Sequence, residues 1–85
     1  MSRYGDVYAD GRLTHRARAV YLYLHGRADA EGKCWPGVKR IAADLRLSRR
    51  TAQRALADLE RCGYIRRDER YRDNGSRTSN LYTVE

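Results

Sequence analysis

Apolar positions recur at helical spacing in three stretches of the chain, and the pattern changes to strand-like alternation near the end. Ala17, Val20, Tyr21 and Leu24 stand at i, i+3, i+4 and i+7, one face of a helix. Thr14 precedes them as an N-cap, and Gly26 is the expected stop. Leu22 and Tyr23 widen the apolar face, so this helix is expected to pack on more than one side. Its tyrosines read as core, with a dimer contact as the other reading. Ahead of it, residues 1–12 carry Tyr4, Tyr8 and two glycines without a sustained period, and read as an N-terminal arm. Residues 13–85 then form one domain.

Asp29-Ala30-Glu31-Gly32 has turn chemistry, and Lys33 to Gly37 follows as a short extended piece, because Pro36 keeps Trp35 out of the helical region. Trp35 is expected to seal one end of the core, with base stacking as the alternative. Val38, Ile41, Ala42 and Leu45 predict a second helix of about two turns. After Arg46-Leu47, Ser48 caps a third helix with Ala52, Ala55, Leu56 and Leu59 buried, and Gly63 ends it in the left-handed conformation. Two helices joined by so few residues must cross sharply, which is helix-turn-helix geometry.

Residues 64–71 read as a strand, Asn74-Gly75 as a hairpin turn, and residues 80–84 as the return strand. Ile65, Tyr82 and Val84 are expected to face the helices. The expected fold is mainly α with a C-terminal β-hairpin, the winged form of the helix-turn-helix.

Composition narrows the function. Eighty-five residues, 41% of them hydrophobic, support a thin core with little room for a catalytic cavity. The net charge is +7, and only Lys33 and Lys39 among the basic residues are lysines. Arginine's planar fork suits phosphates and guanine edges. Cys34 and Cys62 form no CxxC pair, and His15 and His25 lie at no metal-ligand spacing, so neither metal nor cofactor is expected. No paired carboxylates, nucleophile with base or glycine-rich phosphate loop can be named, and the chain reads as no enzyme. It also lacks an apolar run of membrane length and a signal segment, so a soluble cytoplasmic protein is expected.

On the helix from Ser48, the inward stripe leaves Arg50, Arg54 and Arg61 opposite it, with Gln53 on a flank and Arg49 in the first turn. The first two turns carry only positive and neutral polar groups, while Asp58 and Glu60 come later. That asymmetry suits an N-terminal half inserted in a major groove. Arg49, Arg50 and Gln53 are assigned to base edges, because arginine matches guanine O6 and N7 and glutamine matches adenine N6 and N7. Ser48, Thr51 and Arg54 are assigned to phosphates, as are Lys39 and Arg40 on the preceding helix. Arg70, Arg72 and Arg77 flank the hairpin tip, where they can enter a minor groove or guard an edge strand from mispairing.

The residues Leu13-Thr14, Ala17 to Tyr21, Ala28-Asp29, Gly32, Trp35-Pro36, Ile41-Ala42, Leu45, Ser48 to Thr51, Arg54 to Leu56, Leu59-Glu60 and Gly63 to Ile65, closing with Ser79 to Tyr82, form a recognisable run. The run resembles the winged helix-turn-helix domains of phage and plasmid replication and regulatory proteins. Residues 48–65 are also similar to the DNA-reading half of GntR-type repressors. The resemblance implies DNA contacts at Ser48, Arg49, Arg50, Thr51 and Gln53. Gly37 departs from the serine cap usual in such domains, and the effector sensing of GntR-type repressors is not expected to carry over. The leading expectation is a sequence-specific double-stranded DNA-binding protein, a transcriptional regulator or a mobile-element accessory factor. A homodimer on paired half-sites or a partner protein would supply affinity, through Tyr4, Val7 and Tyr8 or the outer face of the first helix. The alternative is a winged-helix module for RNA or a partner protein.

Overall fold

The computed structural model describes residues 4–69 and 80–85, with Tyr4 described by its backbone alone. The elements are α1 (Tyr4–Ala9), α2 (His15–Arg27), β1 (Lys33–Cys34), α3 (Val38–Leu45), α4 (Arg49–Arg61), β2 (Ile65–Asp68) and β3 (Leu81–Val84). The architecture is mainly α with a small antiparallel sheet, a winged helix-turn-helix. No described helix is long and apolar enough to cross a membrane. The hairpin turn at Asn74-Gly75 and the arginines Arg70, Arg72 and Arg77 lie outside the described residues.

α2 begins as its sequence dictates, with the Thr14 hydroxyl accepting from the Ala17 amide at 3.1 Å. Ala17, Val20, Tyr21 and Leu24 are all fully buried. Gly26 does not end the helix, which runs to Arg27 and closes with the Ala28 amide on the Leu24 carbonyl. The stop comes instead from Asp29, whose carboxylate accepts from the amides of Glu31 and Lys33 and folds the chain back. Those bonds hold the Asp29 carboxyl below its ordinary pKa.

α3 starts at Gly37 without a side-chain cap, so its first turn relies on the Ile41 amide to Gly37 carbonyl bond at 3.0 Å. It ends at Arg46, which is left-handed at φ 55°, with the Leu47 amide on the Ala42 carbonyl. Two residues after Arg46, Ser48 caps α4. α4 buries Ala52, Ala55, Leu56 and Leu59. Gly63 ends it at φ 80°, with the Tyr64 amide on Leu59 and the Gly63 amide on Glu60, the paired bonds of a left-handed helix stop.

The sheet order is β1-β3-β2, both pairs antiparallel. Ile65 faces Val84, and Cys34 faces Tyr82 across the other edge. The expected hairpin strands are therefore present, shortened to four residues each, and Lys33–Cys34 adds a third strand beside them. Strand alternation puts Cys34 inward, 5% exposed, and turns Trp35 outward, 53% exposed. Trp35 thus does not seal the core as its size suggested. Cys34 takes the inward place, and burial pushes its thiol pKa up to about 11.

Three tyrosines, Tyr21, Tyr64 and Tyr82, are among the largest fully buried side chains. Tyr21 meets Tyr64 edge-on at 5.7 Å, and each spends its hydroxyl at the core's boundary. Tyr21 donates to the Glu85 carbonyl and Tyr64 to the Asp10 carboxylate.

The segment read as an arm contains α1, with Val7 fully buried. Six residues cannot sustain a helix alone, so tertiary contacts must hold it. The Arg18 guanidinium of α2 supplies them by donating to the Val7 and Asp10 carbonyls at 3.0 and 2.8 Å. Asp10 accepts from the Arg12 amide and guanidinium as well as from Tyr64, which together hold its carboxyl far below the usual range.

Candidate nucleic-acid interface

Ser48 positions the interface. Its hydroxyl accepts from the Thr51 amide at 3.0 Å and donates to the Thr51 hydroxyl oxygen at 2.8 Å. The Ser48 hydroxyl proton is thereby used within the chain, while the Thr51 hydroxyl accepts it and keeps its own proton. Arg49, Arg50, Gln53 and Arg54 are exposed along the first half of α4, and Lys39 is exposed near the start of α3.

Pairing separates these cations from the others. Among the described residues, Arg49, Arg50, Arg54 and Lys39 have no carboxylate within ion-pair distance, and neither do Arg16 and Arg46; Arg18 and Arg27 also lack one, but Arg18 is spent on the Val7 and Asp10 carbonyls and Arg27 on the Tyr23 ring. Elsewhere Arg12 pairs with Asp10, Arg61 with Asp58, Arg67 with Glu60 and Arg66 with Asp68. Four of the unpaired arginines, Arg46, Arg49, Arg50 and Arg54, fall within nine residues around the start of α4. Repulsion within a cluster of unpaired like charges opposes folding, and the same cluster makes the start of α4 a favourable surface for an anion.

Arg40 differs from its sequence neighbour Lys39. Its guanidinium donates to Asp44 at 3.0 Å, and the Tyr23 hydroxyl donates to the same carboxylate oxygen. Tyr23 first and Arg40 second hold the Asp44 carboxyl below its ordinary pKa. Arg27 lies over the Tyr23 ring at 5.4 Å, so this network joins the end of α2 to α3.

α4 has two flanks with different neighbours. On one, Glu60 reaches Arg67 of β2, so that side faces the sheet. On the other, an open groove of about 490 Å³ is lined by Thr14, Arg16, Thr51, Arg54, Asp58 and Arg61, with Ala55 and Ala57. Arg16 enters the picture here, brought to α4 by the packing of α2. Sequence reasoning passed over it, and over Arg46 in the turn before Ser48. No local signal marks Arg16, because its place depends on how two helices meet. Arg46 was in view as a turn residue, next to the helix it precedes.

Of the residues expected to serve a dimer contact, Val7 is buried inside this chain, while Tyr8 is 56% exposed. Among the described residues, no group of three or more His, Cys, Asp or Glu side chains is placed to hold a metal ion.

The arrangement can be set beside known proteins. A solved structure described as a possible transcriptional regulator from Methanosarcina mazei Go1 superposes with a TM-score of 0.72 at 21% identity. The match covers 95% of this chain and 64% of that one, so this chain spans under two thirds of that protein's length. At that identity the likeness shows the fold. No curated protein matches the chain. The family model for a helix-turn-helix domain matches residues 11–65, from the turn before α2 through α3 and α4 to the start of β2. The chain belongs to this helix-turn-helix domain family.

Proposed function

We propose that the protein is a sequence-specific double-stranded DNA-binding protein, a transcriptional regulator or an accessory factor of a phage or plasmid, that seats α4 in the major groove. The observation that carries this reading is the set of exposed, unpaired arginines on the first half of α4, in a family built around a helix-turn-helix. Arg49, Arg50 and Gln53 read base edges, while Thr51 and Arg54 hold phosphates. Ser48 fixes the helix start through its hydroxyl and stands with Thr51 and Arg54 at the phosphates. Lys39 contacts the backbone, and Arg40 does so less strongly because Asp44 already compensates it. The wing residues Arg70, Arg72 and Arg77 complete the footprint, an assignment resting on their sequence positions. The similarity to a protein described as a possible transcriptional regulator favours the regulatory role. A homodimer on paired half-sites supplies the affinity that one small module lacks.

The test is fluorescence anisotropy on a labelled mixed-sequence duplex across a salt series, with wild type and an Arg49/Arg50/Arg54 triple-alanine variant. Wild type should lose affinity with salt at a slope of about −0.9 per phosphate contact, and the variant should bind weakly with a shallower slope. Equal binding by the two proteins would remove α4 from the interface. Binding of folded RNA with no binding of the duplex would replace DNA as the partner.

A further inference from the structure

We propose that Arg16, at the start of α2, holds a backbone phosphate of the DNA strand that runs along the α2 side of α4, across the groove from Arg54 and Thr51. The inference rests on the DNA-binding reading and adds a second helix to the interface.

An α-helix with its side chains is about 10–12 Å across, and the major groove of B-DNA is about 12 Å wide. A helix seated there has a sugar-phosphate strand close to each flank. The sheet-side flank of α4 is spanned by the Glu60–Arg67 pair. The other flank opens into the groove of about 490 Å³. Taking Arg50 as pointing straight out, Arg54 lies about 40° and Thr51 about 100° round the helix toward that groove. Arg16 lines its opposite wall.

The charge of the groove fits this occupant. Arg61 and Asp58 compensate each other, which leaves Arg16 and Arg54 as its uncompensated charges. Its wholly apolar lining residues are two alanines, Ala55 and Ala57, and the rest of its carbon surface belongs to arginine, threonine and aspartate side chains, which form no pocket for an aromatic or aliphatic anchor. Thr51 adds a hydroxyl proton that its bond to Ser48 leaves available. Two guanidinium groups and a hydroxyl converging from two helices suit a phosphate, which offers several acceptor oxygens at once. Such a contact fixes register on the duplex without reading sequence.

The experiment uses the full chain and a labelled duplex of about 20 base pairs in mixed sequence and in a selected preferred site, with wild type, Arg16→Ala and Arg16→Lys. Arg16 makes no ion pair among the described residues, so Arg16→Ala should keep the wild-type circular dichroism and melting. Its affinity should fall about tenfold at 100 mM salt, by the same factor on both duplexes. The salt slope should become shallower by about 0.9, and Arg16→Lys should restore the slope. A single methylphosphonate on the α2-side strand should weaken wild type and leave Arg16→Ala indifferent. If wild type shows the salt dependence and Arg16→Ala matches it in slope and affinity, the Arg16 contact is wrong and the DNA-binding reading stands. If wild type shows no salt-dependent duplex binding, both fall together.

Discussion

Arg46 occupies the left-handed backbone region at φ 55°, a place where a side chain costs about 1–2 kcal/mol relative to the right-handed region. Glycine would remove that cost but add unfolded-state entropy worth about 0.4–1 kcal/mol. The difference favours glycine, so Arg46→Gly should raise stability by about 0.5–1 kcal/mol, read as a higher urea midpoint at unchanged slope. The same substitution removes an exposed, unpaired cation two residues before Ser48 and should weaken duplex binding severalfold. A variant that is both more stable and a weaker binder would show that arginine is kept here for its partner, since folding would do better without it. At this scale the sequence was informative about chemistry and caps. Thr14 and Ser48 cap as their hydroxyls suggest, and Gly63 takes the left-handed stop. Arg46 adopting the same conformation at the end of α3 has no compositional mark, because the helix-turn-helix connection imposes it.

At the scale of elements, the sheet depends on one glycine that the turn pattern only partly explains. Gly32 sits at φ +79°, and a Cβ there would meet the Val84 carbonyl at 3.0 Å. The Val84 amide also donates to the Gly32 carbonyl at 2.7 Å, so the turn before β1 lies directly against β3. Gly32→Ala should therefore cost about 1–3 kcal/mol, combining backbone strain with displacement of β3. Denaturant unfolding checks this, and Gly26→Ala is the control. Gly26 lies inside α2 with nothing within 4 Å of an added Cβ, so alanine there should stabilise by about 0.5–1 kcal/mol. The long helices were legible because their buried residues repeat at 3.6-residue spacing over two turns or more. β1 was legible only as a short extended piece and α1 not at all, because two and six residues are too short to carry a period. Each is held by a partner distant in sequence, β3 for one and Arg18 for the other. The outward turn of Trp35 has the same origin, since which of two alternating residues faces in is decided by the strand that β1 joins.

For the whole molecule, the acid side of the stability profile follows from carboxylates tied to distant elements. Asp10 joins the end of α1 to Arg12 and to Tyr64 beyond α4, and its folded pKa lies far below the usual value of about 3.9. Asp29 and Asp44 are shifted in the same direction. A lowered folded pKa means that the unfolded chain binds protons first, so the stabilisation is present above about pH 4 and is lost as pH falls below it. The urea midpoint should thus be flat near neutrality and drop through the acid range. Asp10→Asn should be less stable than wild type at pH 7, and the gap should narrow steadily as pH falls from about 4 toward 2 without closing there.

The sequence by itself determined α2, α3 and α4, the N-caps Thr14 and Ser48, the strands of the hairpin and the arginine-rich start of α4. These are local properties, written in spacing and side-chain type, and a short connection between α3 and α4 leaves them little freedom in how to cross. Only the tertiary structure carried Tyr23 of α2 to the Arg40–Asp44 pair, which α3 forms by its own i,i+4 spacing, and Arg67 of β2 to Glu60 of α4. Arg40 meets Asp44 and Tyr23, while Lys39 beside it pairs with no carboxylate among the described residues. Only the tertiary structure brought Arg16 across from α2 to the flank of α4, more than thirty positions away in the chain. Charge acts through space, and neither periodicity nor composition records which groups folding will place side by side.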